Sequence, residues 1–317
     1  MKAAVVTAAG VSPRYLDFPE PECGPGQHVV ELVAAAIHPV VRSKATGAHY
    51  SSTGAYPLVP GVDAVARTSE GVLAYVNGPL TPWGTFAQRM AVPVAMTTLL
   101  PDGADPVVAA AAMNPGMSSW MPLTTHTAAS GTPDCVLVLG PTGAAGGLAV
   151  QNARALGVRR VIGAGRGAEN LRRVAGLGAE TLELTGDLQA DVAALATLLG
   201  DTAPDLVLDF LWGTAAEVAL QALAKVPGES AISYVEIGAL AGEYTAVPAS
   251  LLRSRPLRLT GSGIGSIDPR DYIARGHDYL QLIADKRVTL DAHGFALSDI
   301  EDAWSAAGTP RPVLTAC

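Results

Sequence analysis

The stretch Val136-Leu-Val-Leu-Gly140-Pro-Thr-Gly143-Ala-Ala-Gly146-Gly147-Leu-Ala-Val-Gln151 constrains this chain more than any other. Four apolar residues, Val136 to Leu139, read as a buried strand. Glycines follow at 140, 143 and 146, with Gly147 next. A helical pattern then offers Leu148, Val150, Ala153 and Leu156 for packing, and Gly157 stands where such a helix ends. Arg160 to Ala164 reads as the next strand. Strand, glycine-rich turn, helix and strand within about thirty residues make the βαβ unit that seats a dinucleotide. The glycines let the backbone approach a pyrophosphate, and the helix N-terminus offers it N–H groups and partial positive charge. Gly140, Thr142, Gly143, Ala144, Ala145 and Gly146 are therefore the candidate cofactor-binding residues of this turn. A glycine-rich turn in any α/β protein shares the glycines; the flanking strands and helix are what favour the cofactor.

The second strand's end bears on which cofactor. A turn built for NAD places Asp or Glu about 20 residues past the glycines, where it binds the ribose 2′-hydroxyl. Here Val161-Ile-Gly-Ala-Gly165-Arg166-Gly-Ala carries no acid and one arginine. A carboxylate repels a 2′-phosphate, whereas a guanidinium forks onto it. NADPH is the expected cofactor, with Arg166 on its 2′-phosphate; the alternative is a solvent-facing loop arginine. Glu169 falls in the next helix's first turn, where acids are favoured in any case.

Composition excludes several other classes. The 317 residues are 49% hydrophobic and 16% charged, which suits a globular chain of two domains. A net charge of −8 argues against a nucleic-acid surface. Cys23, Cys135 and Cys317 are far apart, with no C-x-x-C or Cys/His cluster, so neither a disulfide framework nor a metal site is indicated. The opening residues lack a signal peptide's apolar core, and the Val107–Met113 run is far short of the roughly 20 residues of a spanning helix. A cytoplasmic protein without a membrane or nucleic-acid partner is expected.

After Arg166 the pattern stays regular. Helices are expected over 169–177, 187–199 and 214–224, and strands over 181–184, 206–210, 232–237 and 257–261. Six strands with crossover helices make a doubly wound parallel sheet, a Rossmann domain, with its crevice beyond the strands' carboxyl ends. Phe210-Leu-Trp212-Gly213 and Gly238-Ala239-Leu240 fall at that edge. Trp212 serves there either as loop packing or as a contact to bound molecules. Residues 1 to about 100 read instead as an irregular β domain, with runs at 2–7, 28–36, 63–68 and 71–77. A helix over 106–113 precedes Asn114-Pro-Gly-Met-Ser118-Ser119, where Ser118 and Ser119 suit the cap of a second, long helix. Toward the C-terminus a helix over 272–286, strands over 288–290 and 294–297, a helix capped by Ser298 with Glu301 in capping-box spacing, and a strand from Arg311 are expected.

Leu139-Gly-Pro-Thr-Gly-Ala-Ala-Gly146 resembles the turn of the zinc-free medium-chain dehydrogenases/reductases, the quinone-oxidoreductase-like branch. The resemblance extends to Ala35-Ala-Ile-His38-Pro39, to Gly47-Ala-His49-Tyr50 and to Pro57-Leu-Val-Pro60-Gly61-Val-Asp63. Three positions depart from the family pattern: His38 replaces Asn, Val41 replaces Asp, and His49 replaces Tyr, with Tyr50 one step later. Zinc-dependent cousins carry Cys near position 38, G-H-E near 61–63 and a four-cysteine lobe, none of which is present. The resemblance implies an α/β protein with a β-rich, GroES-like catalytic domain from 1–114 and 264–317 around a Rossmann domain from 115–263. It implies that Trp212, Gly238, Ala239, Ser262 and Arg311 approach the cofactor, and that His38, Asn114, Met117 and Ser118 line the acceptor pocket. It also implies a homodimer joined through the edge strand Leu257–Gly261.

Hydride transfer leaves negative charge on the acceptor, which a hydroxyl, imidazole or backbone donor must then stabilise. Tyr50 is the first candidate for that role and His49 the second; packing alone is the competing reading for both. The expected activity is NADPH-dependent, zinc-independent reduction of a quinone or conjugated enone. An enoyl-thioester or imine reductase is the alternative among enzymes, and a non-catalytic NADPH-binding protein the alternative from another class.

Overall fold

Short apolar runs divided by turns build the first part of the chain: β1 (Lys2–Val5), β2 (Arg14–Asp17), β3 (Gln27–Ala36), α1 (Pro39–Ala45), β4 (Asp63–Arg67), β5 (Leu73–Asn77), β6 (Arg89–Pro93) and β7 (Thr97–Leu99). The computed structural model describes all residues except Tyr50, Thr53, Ile264, Ala307, Thr309 and Cys317. β3 is long enough to serve two neighbours. It pairs antiparallel with β6 and with β4, and a register shift between Leu32 and Ala34 bends it from one to the other. β2, β6 and β7 carry little alternation to mark them in the sequence; β2 and β7 are short and partly exposed, and β6 is a short, buried segment paired to β3.

α2 (Pro106–Ser130) follows as one continuous helix. Its N-terminus is capped by Asp105, whose Oδ1 accepts the N–H groups of Val107 and Val108 at 2.8 and 3.2 Å. The expected break at Asn114-Pro115 does not occur. Proline removes one backbone hydrogen bond, but Ala109–Met113, Met117 and Leu123 are buried on this helix, and that packing outweighs the loss. Ser118 and Ser119 consequently cap nothing. They sit inside the helix, and their hydroxyls donate back to the carbonyls of Pro115 and Gly116.

The next segment alternates strand and helix: β8 (Cys135–Leu139), α3 (Ala144–Ala155), β9 (Arg160–Gly165), α4 (Ala168–Gly176), β10 (Glu180–Glu183), α5 (Leu188–Leu199), β11 (Leu206–Asp209), α6 (Gly213–Leu223), β12 (Ile232–Glu236), α7 (Ala249–Ser254) and β13 (Leu257–Gly261). Among the described residues these six strands form one parallel sheet in the order β10-β9-β8-β11-β12-β13. That is the doubly wound Rossmann order. It reverses between β8 and β11, so the crevice for a ligand lies where Gly140 and Phe210 leave the sheet. The inner strands β8, β9 and β11 are buried on both faces, which is why they read as continuous apolar runs, whereas β10 and β13 at the two edges are largely exposed.

The chain ends with α8 (Pro269–Ala284), β14 (Ala292–Ala296), α9 (Ile300–Ser305) and β15 (Arg311–Thr315). β15 pairs with β14 and antiparallel with β3, so these strands extend the N-terminal sheet. Two expectations fail here. Residues 288–290 are not a strand: the N–H groups of Arg287 and Val288 both donate to Leu282 O, closing the C-terminus of α8 around Lys286 at φ 57°. Ser298 is not a cap either, because its hydroxyl donates to Asp299 within a single 3-10 turn. The chain divides into two compact units, Met1–Asn114 with Ile273–Cys317, and Pro115–Tyr272. No helix among the described residues is long and apolar enough to cross a membrane.

Candidate functional site

The turn after β8 is shaped by side chains that are missing. Gly140 has φ 84°, and its N–H donates to Ala164 O on β9 at 2.9 Å. Gly146, in the first turn of α3, lies against that turn: a Cβ there would stand 2.1 Å from Gly140 O and 2.7 Å from Pro141 Cα. Two further glycines, unassigned in the sequence reading, complete the packing. Cβ atoms at Gly163 and Gly165 would meet the Pro141 ring at 2.9 and 3.1 Å. Their signal was visible as glycine at alternate positions of a buried strand. Gly143 is the N-cap of α3 and supplies no side-chain cap. The first N–H groups of α3, beside Thr142, Ala144 and Ala145, thus keep their capacity for an anion. Such a cradle fits the pyrophosphate of a dinucleotide.

Arg166 follows β9 directly, on the same carboxyl edge. It is exposed and makes no hydrogen bond or ion pair to a described residue. Gly167, at φ 85°, is the N-cap of α4, and it too brings no side-chain cap. The end of β9 therefore offers a guanidinium beside a helix end without a side-chain cap, and the nearest acid in sequence, Glu169, lies in the first turn of α4.

The other half of the carboxyl edge is built on Asp209. This last residue of β11 is fully buried and aligns with Leu139 on β8 and Glu236 on β12. Its Oδ1 accepts the N–H groups of Leu211 and Trp212 at 2.8 and 2.9 Å, and its Oδ2 accepts the Tyr234 hydroxyl at 2.7 Å. Burial pushes the carboxyl's pKa up against the opposing pull of these donors. Burial together with Asp209 raises Tyr234 well above its usual value and raises Glu236 as well. Sequence reading passed over Asp209 as a strand residue. An acid inside Leu206-Val-Leu-Asp-Phe210 was the available signal, since a buried carboxylate needs partners. Of the expected edge residues, Trp212 is half-buried and sets its indole edge-on to Tyr234, with ring centroids 6.3 Å apart. Gly238 packs against Phe210 O, which a Cβ would meet at 3.1 Å, and Ala239 is exposed. Ser262, just past β13, donates its N–H to Glu236 O, while its buried hydroxyl has no hydrogen-bond partner among the described residues. The turn at 140–146, Arg166, Trp212, Gly238, Ala239 and Ser262 thus share one edge of one sheet.

The expected acceptor residues are more scattered. His38 is the N-terminal boundary residue of α1 and is 2% exposed. Its Nε2 lies 3.6 Å from Oδ2 of Asp63, which also accepts the Tyr75 hydroxyl at 2.7 Å. His49 is half-buried, and its Nδ1 lies 2.9 Å from the Ser51 hydroxyl oxygen and 3.2 Å from the Ser51 backbone nitrogen. Burial, then the charge of Lys44, holds its pKa below the usual imidazole value. Tyr50 lies outside the described residues. Asn114 is half-buried, Met117 is buried and Ser118 is tied to its own helix. Arg311 is half-buried and donates to Ile37 O; burial, then neighbouring Arg42, lowers its pKa.

This architecture is shared with solved structures along the whole chain. A mycobacterial quinone oxidoreductase superposes with a TM-score of 0.82 at 21% identity, covering 99% of each chain. The quinone oxidoreductase of Thermus thermophilus, also solved with NADPH, has a TM-score of 0.77 at 25% identity, over 99% of this chain and 100% of its own. A probable NADPH-dependent quinone reductase of Emericella nidulans is 28% identical over an aligned length of 345 residues, 96% of either protein. No family model matches the chain. Along nearly its whole length the chain is thus similar to quinone oxidoreductases and to an NADPH-dependent quinone reductase.

The sequence resemblance implied a zinc-free protein, so the placement of possible metal ligands matters. Among the described residues no group of three or more His, Cys, Asp or Glu side chains is placed to hold a metal ion. His38 and Asp63 offer two ligands, whereas zinc takes three or four from protein. Protein purified without chelator is expected to carry far less than one zinc per chain by elemental analysis. Stoichiometric zinc, lost on dialysis against chelator together with folding or activity, would contradict this.

Proposed function

We propose that the chain is a zinc-independent, NADPH-dependent reductase that delivers hydride to a quinone or conjugated enone. The observation that carries this reading is the pairing of the dinucleotide cradle at 140–146 with a free guanidinium, Arg166, where an NAD site carries an acid. The names of its relatives from Emericella nidulans and Thermus thermophilus support the acceptor class. NADPH, when bound, supplies the hydride. The first N–H groups of α3 receive the pyrophosphate, and Arg166 holds the 2′-phosphate. Trp212, Gly238, Ala239 and Ser262 flank the ribose and nicotinamide, with Arg311 a further cofactor contact. His38, Asn114, Met117 and Ser118 line the acceptor pocket. Quinones and enones spread the incoming charge over a conjugated system, so they need no Lewis acid. Tyr50 is the first candidate to hydrogen-bond or protonate the reduced oxygen, and His49 the second.

An NADPH-consumption screen across quinones, enones, enoyl thioesters and cyclic imines tests the reading. Turnover confined to quinones or enones is expected. Turnover confined to the thioesters or imines would reassign the substrate, and tight NADPH binding with no oxidation above background would make the protein a binder instead.

The chain is further proposed to act as a homodimer. β13 is the edge of the parallel sheet, and its residues 258–261 are exposed, Leu259 at 40%. An exposed strand edge with an apolar residue is a template for pairing, and a two-fold axis closes it. Light scattering at micromolar concentration is expected to give twice the 32.3 kDa chain mass. A monomer mass there would refute the proposal.

A further inference from the structure

The backbone at Trp212 is held where only glycine sits comfortably. Its φ of 53° and ψ of −153° place a large side chain in a region that is strained for any residue but glycine and persists only when surroundings enforce it. The enforcement is visible. Asp209 Oδ1 accepts the N–H groups of both Leu211 and Trp212. Leu211 O accepts the N–H of Ala241 at 2.7 Å, Trp212 bridges to Gly242, and the Thr245 hydroxyl donates to Gly213 O at 2.8 Å. Gly213 must lack a side chain, because a Cβ would fall 2.4 Å from Ala241 O. The Tyr234 ring meets the indole edge-on, and its hydroxyl donates to the second oxygen of Asp209. One carboxylate therefore fixes the turn by its backbone and the indole through Tyr234.

This clamp stands over the dinucleotide cradle. The Leu211 side chain fills the space above Gly140, where a Cβ would come within 3.0 Å of Leu211 Cγ and Cδ2. Strained backbone that is over-determined by polar contacts gathers at ligand clamps. Packing alone would be met by glycine at 212 and a hydrophobic residue at 209, without a buried charge.

We infer that Asp209 is a positioning residue: through the amides of Leu211 and Trp212 and the ring of Tyr234, it sets the Trp212 indole as a wall of the cofactor crevice. The inference rests on the proposed nucleotide site. Asn at 209 can still accept the two N–H groups through Oδ1, whereas Ala can accept neither.

The test measures NADPH dissociation constants by titration of the full-length wild type, Asp209→Ala, Asp209→Asn and Trp212→Gly, with thermal unfolding of each. Glycine at 212 takes the backbone conformation without strain, so this variant remains informative if Asp209→Ala does not fold. Losing hydrogen bonds to a charged acceptor should weaken binding about tenfold or more in Asp209→Ala. Asp209→Asn should stay within about threefold of wild type, as a rescue by geometry. Trp212→Gly should weaken NADPH about tenfold and raise KM for NADPH more than it lowers kcat with 1,4-naphthoquinone. NADPH affinity in Trp212→Gly within twofold of wild type, or in a folded Asp209→Ala within twofold, overturns the inference. Failure of the wild type itself to bind NADPH would instead remove the nucleotide site on which it rests.

Discussion

Replacing Arg166 with alanine is expected to weaken NADPH binding about 10- to 150-fold and to leave NADH nearly unchanged. Hydrogen bonds to charged groups contribute about 1.5–3 kcal/mol, and each 1.4 kcal/mol is about tenfold in affinity. The effect is specific because the two cofactors differ only in the 2′-phosphate. Arg166 is exposed and, among the described residues, makes no hydrogen bond or ion pair, so its removal breaks nothing within the fold. Stability should change by less than about 0.5 kcal/mol. The ratio of the two dissociation constants, by titration of wild type and variant, is the measurement. Equal weakening toward both cofactors would make Arg166 a scaffold residue and would leave the preference for NADPH without its main support. Screening weakens exposed charge pairs, so the discrimination should also shrink as salt rises.

The Rossmann half was legible because its sequence signals are local. Buried parallel strands appear as unbroken apolar runs, glycines end the helices, and the turn at 140–146 packs its residues against one another over a few positions. The β-rich half was legible mainly in its longer strands. β2 and β7 are short and partly exposed, and they owe their existence to neighbours distant in sequence. α2 escaped because tertiary burial overrode the usual meaning of Asn114-Pro115, and the same override turned Ser118 and Ser119 from caps into helix-interior residues. The site divides the same way. Gly140, Gly143, Gly146 and Arg166 announce themselves by type and spacing. Asp209 and Tyr234 do not, because their relation spans 25 residues and becomes visible only when β11 and β12 lie side by side.

Gly146→Ala is expected to damage both the fold and the cofactor site, whereas Gly147→Ala, one position along the same helix, is expected to do neither. Alanine in place of glycine favours a helix by up to about 1 kcal/mol, so propensity alone predicts a gain at both positions. Sterics reverse the sign at 146. The new Cβ would lie 2.1 Å from Gly140 O and 2.7 Å from Pro141 Cα, both backbone atoms of the turn. No rotamer change relieves such an overlap; α3 must move from β8, or the turn must open. Overpacking of this kind costs about 1–3 kcal/mol or more, which exceeds the helical gain. At 147 the nearest atoms are Pro141 O at 3.6 Å and Leu177 Cδ1 at 4.0 Å, ordinary contacts. Calorimetry should therefore show Gly146→Ala unfolding several degrees lower and Gly147→Ala at or slightly above wild type. Because relief at 146 displaces the N–H groups that receive the pyrophosphate, NADPH and NADH should weaken together by at least about tenfold, unlike the selective loss at Arg166. A Gly146→Ala protein that binds NADPH as tightly as wild type would mean that the turn does not hold the dinucleotide.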